Sequence, residues 1–241
     1  MDIDGFAWLC QHPDALSRFN AFMEGQRANR PFWGDWFPVR ERVLTLDDGT
    51  AIHGDHNPTD QPLLVDIGGG RGHDLLAFRE RFPEPVAPGQ LVLEDLPDVL
   101  EEARAGQQGH ENELEARGIA TVPYDFFTEE QPVKNARVYY FKYVLHDWSD
   151  EKAAVIFRNL RPAMKPGFSR VLIEEYILPD LGSRSLPCMT DMAVMVFCSG
   201  LERTKYRWVR LLEGVAGLKI LKFWVREGDG LGIIEAELPL E

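Results

Sequence analysis

Side chains suited to acid–base chemistry follow two predicted strands of this sequence. His146 comes directly after the aromatic run ARVYYFKYVL, and Glu174 and Glu175 lie in the apolar run RVLIEEYIL. A neutral histidine can take a proton from a hydroxyl near pH 7, and a carboxylate on its other ring nitrogen stabilises the imidazolium that forms. Neighbouring strand residues alternate between faces, so Glu174 and Glu175 are expected on opposite sides of the sheet. The two strand ends predict a histidine close to a carboxylate; a histidine that only caps its strand is the alternative.

A glycine-rich turn between a strand and a helix is a second candidate site. The run LLVDIGGGRGHDLL has Asp66 at the end of its apolar part and glycines at Gly68, Gly69, Gly70 and Gly72. Glycines permit positive φ and let a ligand approach bare backbone, and the following helix offers free N–H groups. The dinucleotide pattern G-x-G-x-x-G fails, because its third glycine falls on His73 or Leu75, and no Gly-Lys-Ser/Thr follows. We therefore predict a nucleoside that carries no pyrophosphate; a turn without a ligand is the alternative.

Two further strand ends carry acids suited to a nucleoside. Asp95 in EDLPD lies roughly twenty residues beyond the glycines, where an acid holds ribose hydroxyls in nucleoside sites. Asp125 precedes Phe126 and Phe127, which places a carboxylate beside aromatic surface suited to an adenine. Ligands bind at the carboxyl ends of parallel strands. These acids and the glycine turn therefore predict one nucleoside-binding site.

The elements that would position these groups alternate between strand and helix from Leu63 onward. Predicted strands cover 63–67, 91–95, IATV, ARVYYFKYVL and RVLIEEYIL, and a helix capped by Ser149 follows the fourth of them. Two helical patterns lie in 187–214, and two apolar runs flank the turn EGDG as a closing hairpin. The pattern indicates an α/β fold with a mostly parallel sheet and an antiparallel edge. Residues 1–60, whose first helix Asp14 can cap, are predicted to be a helical extension packed on a main domain at 61–241.

Composition excludes several classes of function. The 241 residues carry a formal charge of −13, which argues against nucleic acid as a partner. No apolar run reaches membrane-spanning length, and the start lacks a signal-peptide pattern. Cys10, Cys188 and Cys198 are too scattered for a disulfide framework or a zinc site, and His53 and His56 lack a further ligand. We expect a cytoplasmic protein whose chemistry requires no metal.

A series of motifs resembles those of the S-adenosylmethionine-dependent O-methyltransferases that act on phenolic natural products in plants and fungi. In chain order they are GGGRGHD, EDLPDV, YDFF, FKYVLHDWSDE, VLIEEYILPD and SGLERT. The resemblance covers the catalytic domain of that family. It implies a Rossmann-like class I methyltransferase fold, with a seven-stranded, mostly parallel sheet whose last strand is antiparallel. It also implies S-adenosyl-L-methionine as cofactor, S-adenosyl-L-homocysteine as product, and a small-molecule acceptor with a phenolic or enolic hydroxyl.

The resemblance assigns roles to individual residues. His146 matches the general base, and Glu175 and Glu202 match two acids that flank it. The residues assigned to the cofactor are Gly68, Gly70 and Gly72 for the methionine part, Asp95 for the ribose, Asp125, Phe126 and Lys142 for the adenine side, and Asp66 and Leu96 in addition. A sulfonium methyl is already electrophilic, so such an enzyme must mainly align it and make the acceptor nucleophilic.

The resemblance is incomplete at the N-terminus. Family members usually carry a winged-helix region that mediates dimerisation and closes part of the substrate pocket, and this sequence does not show it. A homodimer or a partner chain is therefore an open expectation. Two other functions are considered: a cyclisation or rearrangement that uses the positive charge of the cofactor, and a non-catalytic cofactor-binding subunit. His146, Glu175 and Glu202 together favour methyl transfer, because a purely binding role needs none of them.

One helical stripe has two interpretations. Met189, Met192 and Met195 recur at helical spacing, which is typical of core packing. The resemblance instead places substrate-facing residues on this helix.

Overall fold

A mixed sheet forms the centre of the chain. The strands are β1 (Leu64–Ile67), β2 (Leu91–Asp95), β3 (Ile119–Pro123), β4 (Val138–Lys142), β5 (Arg170–Leu178), β6 (Arg203–Thr204), β7 (Lys219–Val225) and β8 (Leu231–Glu237). The helices are α1 (Val39–Arg42), α2 (His73–Arg81), α3 (Pro97–Ala105), α4 (Glu113–Ala116), α5 (Asp150–Leu160), α6 (Ser185–Cys198) and α7 (Lys205–Val209), the last continued by a π-helical stretch at Arg210–Val215.

This computed structural model describes residues 30–46, 48–52, 61–83, 86–105, 113–226 and 230–240, with isolated positions before residue 30. Most of the predicted first helix, His53, His56 and most of the EGDG turn lie outside these residues. The division into an extension and a main domain stays a prediction.

The strand order confirms the predicted topology. Along the sheet the order is β3-β2-β1-β4-β5-β8-β7, and the two-residue β6 pairs with β5 beside this path. Strands β1 to β5 pair in parallel, whereas β8 runs antiparallel to both β5 and β7. The seven-stranded path with an antiparallel last strand is therefore as expected, and β6 is an addition. Strand β6 matters for the candidate site because of its position, since it begins directly after Glu202.

Apolar side chains cover both faces of the sheet. On one face Tyr139 and Phe141 of β4 pack with α5 and with Trp208 of α7. On the other face Tyr140 packs with Trp33, whose ring also lies against Phe78 of α2. Parallel strands buried on both sides read as continuous apolar runs, which is why the strand predictions from such runs succeed. The segment before β1 thus contributes to the core under the sheet.

The predicted end of the fourth strand is wrong. The apolar run predicts a strand to Leu145, but β4 ends at Lys142, because Tyr143 has a φ of 52°. A non-glycine residue in this left-handed region turns the chain out of the strand. Residues Leu145–Asp147 then form a 3₁₀ turn that carries His146. His146 therefore lies on a turn above the sheet edge.

Gly200 lies where the chain after α6 crosses this turn. The amide of Leu201 donates to the carbonyl oxygen of His146 at 2.8 Å. A Cβ at position 200 would lie 2.0 Å from that oxygen and 2.8 Å from backbone carbons of Asp147. Only glycine allows the two chain segments to approach so closely.

We predict that Gly200→Ala lowers the free energy of unfolding by about 1–3 kcal/mol, because one of the two backbones must move. Thermal unfolding measures the effect, at about 2–4 °C in Tm for each kcal/mol in a chain of this size. Gly214→Ala is the control, since a methyl group there meets nothing within 4 Å and alanine favours helix. Equal Tm values for the two variants would contradict this account of the crossing.

Candidate active site

A buried histidine–carboxylate pair lies above the ends of β4 and β5. His146 Nδ1 and Glu202 Oε1 are 2.9 Å apart, although the two residues are 56 positions apart in the chain. A carboxylate can only accept, so Nδ1 carries the proton in this bond. In neutral His146 the free lone pair is then on Nε2. That nitrogen lies 3.6 Å from Asp147 Oδ1.

Glu175 supports the turn of His146 through the backbone. Its Oε1 accepts from the amides of Leu145 and His146 at 2.7 and 3.1 Å. Its Oε2 is buried and has no hydrogen-bond partner among the described residues. Burial raises the pKa of Glu175 to about 7, although the charges of His146 and Arg203 oppose the rise. Glu175 therefore fixes the turn, whereas Glu202 contacts the imidazole.

The surroundings of His146 favour its protonated form. Burial disfavours the charge, but the hydrogen bond to Glu202 and the charges of Glu175, Asp147 and Glu202 outweigh it and raise the pKa of His146 to about 9. In the ligand-free chain only a small fraction of His146 is therefore neutral at pH 7. The imidazole must lose this proton before it can act as a base.

Two residues that sequence reasoning missed hold the pair in place. The buried guanidinium of Arg203 donates to Leu145 O and Trp148 O, both at 2.7 Å, and to Asp150 Oδ1 at 2.8 Å. Asp191 of α6 accepts the amide of Glu202 at 2.7 Å. Arg203 thus fastens the turn of His146 to the strand that follows Glu202. The motif SGLERT contains Arg203, but its partners are fixed only by the fold.

The glycine turn and Asp95 come together as the second half of the site. Gly68, Gly70 and Gly72 have φ values of 71°, 61° and 76°. Asp95 Oδ2 accepts the amide of Gly70 at 2.8 Å, and its Oδ1 accepts the amide of Leu96 at 2.8 Å. Burial raises the pKa of Asp95, although these two hydrogen bonds oppose the rise. The acid that ends β2 is therefore held at the edge of the glycine turn.

The glycines of the turn have different reasons to be glycine. A Cβ at Gly70 would meet nothing within 4 Å, so the space beside it is open to a ligand. A Cβ at Gly72 would lie 2.8 Å from Leu114, and one at Gly69 would lie 2.5 Å from Asp66 Oδ2. Gly69, which was not among the predicted site residues, is thus required by the packing of buried Asp66 under the turn.

Four other residues predicted for the cofactor make contacts within the chain or are exposed. Asp125 Oδ1 accepts the amide of Phe127 at 2.9 Å, and the ring of Phe126 lies 6.2 Å from that of Trp148. Leu96 is about half exposed. The ammonium of Lys142 contacts Asp74 at 2.7 Å and Glu174 at 3.4 Å. The structure brings Gly70 and Asp95 into direct contact, and holds Lys142 between acids of α2 and β5.

The methionine stripe of α6 faces outward. Met189, Met192 and Met195 are 65, 62 and 56% exposed, so their interpretation as core packing is wrong.

Within the residues that the structure describes, no group of three or more His, Cys, Asp or Glu side chains could hold a metal ion. None of the helices there is long and apolar enough to cross a membrane.

The sheet order, the antiparallel β8 and the glycine turn held by Asp95 define a class I methyltransferase fold. The chain belongs to the O-methyltransferase domain family, whose profile matches residues 57–219. The cofactor of this family is S-adenosyl-L-methionine.

The curated proteins that the chain resembles include fungal O-methyltransferases. O-methyltransferase asqD of Emericella nidulans is 40% identical over 232 residues, which are 96% of this chain and 54% of that protein. Demethylsterigmatocystin 6-O-methyltransferase of Aspergillus flavus is 34% identical over 98% of this chain and 54% of its own length. The chain thus spans about half the length of the curated relatives that it matches.

Solved structures agree with this placement. OxaC in complex with sinefungin and meleagrin superposes with a TM-score of 0.76 and 31% identity, over 97% of this chain and 54% of that one. LepI in complex with SAM gives a TM-score of 0.78 and 27% identity, over 98% of this chain and 55% of that one. A structure described as a pericyclic reaction enzyme gives 0.76 and 27%, over 96% and 54%.

We predict that the His146 imidazole titrates with a pKa of about 9 in the ligand-free chain, measured by NMR of selectively labelled histidine. Glu202→Gln removes a hydrogen-bonded negative charge while keeping the shape, so the pKa should fall toward or below the ordinary histidine value of about 6.5. Glu213→Gln, a change at an exposed acid of the π-helical stretch, should leave it unchanged. An ordinary or lower pKa in the unaltered chain would show that burial outweighs the surrounding acids.

Proposed function

We propose that this chain binds S-adenosylmethionine and transfers its methyl group to a phenolic or enolic hydroxyl of a small aromatic or polyketide-like molecule. The observation that carries the proposal is the buried His146–Glu202 hydrogen bond beside the glycine turn. Strands β1 and β4, which lead into these two features, are direct neighbours in the sheet. The names of relatives that methylate oxygen support the same reaction.

The cofactor would lie against the open side of Gly70. Positive φ at the glycines exposes backbone there, and Asp95 keeps carboxylate lone pairs beyond its two amide bonds for the ribose hydroxyls. Asp125 and Phe126 line the predicted adenine side. When bound, the cofactor supplies an electrophilic methyl group on a positively charged sulfur. The chain has to hold that group in line with the acceptor oxygen.

His146 would remove the proton from the acceptor hydroxyl. Its Nδ1–H is fixed by Glu202, which directs the Nε2 lone pair away from that acid. The imidazolium that forms is stabilised by the surrounding carboxylates, which are the groups that raise the pKa of His146. Base catalysis of this kind contributes on the order of a hundred to ten-thousandfold. Glu175 and Arg203 act on the position of the base by holding its turn.

A rearrangement without methyl transfer is the second candidate, favoured by the likeness to a pericyclic reaction enzyme. Such a reaction could use the charge of the bound cofactor and would yield no S-adenosylhomocysteine. A subunit that only binds cofactor would need neither a base nor its acid. The retained pair of His146 and Glu202 therefore favours transfer.

The wider assignments are also proposals. Because the curated relatives are about twice as long, a homodimer or partner chain that covers the acceptor side remains part of the proposed function. The cytoplasmic location stays a prediction.

For the cofactor site, we predict that Asp95→Asn weakens S-adenosylhomocysteine binding at least tenfold, because the amide loses the charge and an acceptor for the ribose hydroxyls. Isothermal titration calorimetry measures this on the 241-residue chain. Asp98→Asn, an exposed acid three positions further on, is the control and should bind as the unaltered chain does. Equal affinities in all three would remove Asp95 from the cofactor site.

For the base, we predict that His146→Ala lowers methyl transfer by a factor of about a hundred or more at unchanged S-adenosylhomocysteine affinity. In the unaltered chain kcat/KM should rise with pH through about 9, because only neutral His146 accepts a proton. Arg203→Lys keeps the charge but cannot reach three acceptors, so kcat should fall more than KM rises. Mass spectrometry of methylated product and S-adenosylhomocysteine is the readout. Product formed without S-adenosylhomocysteine would support the rearrangement instead.

A further inference from the structure

His146 lies between two carboxylates, one at each ring nitrogen. Glu202 Oε1 is 2.9 Å from Nδ1, and Asp147 Oδ1 is 3.6 Å from Nε2. The hydrogen bond to Glu202 keeps one proton on Nδ1 in both the neutral and the charged ring. A second proton, on Nε2, makes the ring an imidazolium and lies on the side of Asp147. Asp147 is therefore next to the proton that the ring must lose before it can act as a base.

His146 and Asp147 stabilise each other's charged form. Burial acts against both charges, lowering the pKa of His146 and raising the pKa of Asp147. The carboxylate of Asp147 is among the acids that outweigh this effect at His146, and the imidazolium in turn opposes the rise at Asp147. An opposite charge within about 4–6 Å shifts a pKa by about 1–3. The separation of 3.6 Å therefore makes Asp147 a substantial contributor to the protonation of His146.

The two acids at the ring act on different protons. The side chain of Glu202 is fully buried, and it meets the nitrogen that stays protonated in neutral His146. The side chain of Asp147 is 18% exposed, and it meets the nitrogen that is protonated only in the imidazolium. Removal of the charge of Asp147 should therefore change the affinity of His146 for its second proton. The hydrogen bond that fixes the tautomer would remain.

Helix α6 contacts both acids. Asp191 accepts the amide of Glu202 at 2.7 Å, and Cys198 Sγ lies 3.3 Å from Asp147 Oδ1. The same sulfur lies 3.1 Å from the carbonyl oxygen of Val194, so the thiol proton has two acceptors within reach. A thiol is a weak donor, but its hydrogen bond lowers the pKa of Asp147 against the effect of burial. Cys198 therefore helps to keep Asp147 ionised beside Nε2.

Other ionisable groups around the imidazole are bound elsewhere or lie further away. Glu175 accepts amides of the turn, and Arg203 donates to carbonyl oxygens of the same turn. The ring of Tyr143 has its centroid 5.5 Å from that of His146, and the guanidinium of Arg30 packs on Tyr143. Within the described part of the chain, the two acids of the preceding paragraphs are thus the ones within 4 Å of a ring nitrogen.

We propose that Asp147 is a positioning residue that keeps the second proton on Nε2 of His146, and that Cys198 of α6 holds Asp147 in that place. Loss of this proton to water leaves neutral His146 with its Nδ1–H still bonded to Glu202. Asp147 therefore sets the pH above which His146 can accept a proton from an acceptor hydroxyl. That last consequence rests on the proposed function, whereas the protonation of His146 is a property of the chain itself.

The test is an NMR titration of selectively labelled histidine in the 241-residue chain, which reports the protonation of each ring nitrogen. Asp147→Asn keeps the size of the side chain and removes its charge, so the pKa of His146 should fall from about 9 to about 8 or lower. Cys198→Ala should cause a smaller fall, and Cys198→Ser, which keeps a donor, should cause none. Glu151→Gln, at an exposed acid four positions after Asp147, is the matched control and should leave the pKa of His146 unchanged.

Methyl transfer adds a second readout. In Asp147→Asn the rise of kcat/KM with pH should move to lower pH, so that the rate at pH 7 increases, because a base works best when its pKa is near the pH of the reaction. A structural role of Asp147 would instead lower the rate at every pH and leave the midpoint of the profile in place.

Three results would overturn the inference. These are equal pKa values of His146 in Asp147→Asn and Glu151→Gln, equal values in Cys198→Ala and Cys198→Ser, or a kcat/KM profile of Asp147→Asn that is lowered without a shift. The cysteine pair leaves Asp147 itself unchanged, so it tests the inference even where Asp147→Asn does not fold. A shifted titration in chains that transfer no methyl group would contradict the proposed function alone, because the titration needs no acceptor.

Discussion

The hydrogen bond between His146 and Glu202 is the interaction on which the site depends. It joins residues 56 positions apart, and each partner reaches it through a separate constraint. Tyr143 ends β4 early so that a turn can lift His146 above the sheet, and Gly200 lets the returning chain pass within hydrogen-bond distance of that turn. Buried Arg203 then connects the two segments with three hydrogen bonds. The geometry of the base is thus built from long-range contacts.

The two halves of the site use the same sheet in different ways. On the side proposed for the cofactor, glycines with positive φ follow β1, and the carboxylate at the end of β2 accepts the amide of Gly70. On the side of His146, acidic side chains surround one imidazole. Direct pairing of β1 with β4 brings these halves into contact. In the proposed function, a methyl donor and a hydroxyl acceptor would meet where the ends of these two strands lie side by side.

Sequence patterns predict the parts of this fold that depend on local physics. The continuous apolar run of β5 predicts its bounds, and Ser149 begins α5 with its hydroxyl accepting the amide of Lys152. Such patterns fail where a single dihedral angle decides, as at Tyr143, since periodicity carries no signal for a left-handed tyrosine. They also fail for Arg203 and Asp191, because a buried polar residue is recognisable only once its distant partners are known. For the candidate site, the residue types and the strand ends that carry them could be predicted from the sequence. The contacts that hold His146 and Glu202 in position could not.

The protonated form of His146 stabilises the fold, whereas the proposed function needs the neutral form. The pKa of His146 rises to about 9, so relative to an unfolded value of about 6.5 the folded chain binds this proton more tightly. The stabilisation is fully present below that unfolded value and is lost as the pH rises through about 9. Glu175 also stabilises the fold in its protonated form, because its pKa of about 7 lies above its ordinary value. This stabilisation is lost as the pH rises through about 7. The fold is thus most favoured when His146 is protonated, whereas the proposed removal of a proton from an acceptor needs a neutral His146. An acceptor that is already acidic eases this conflict, because its hydroxyl gives up the proton more readily.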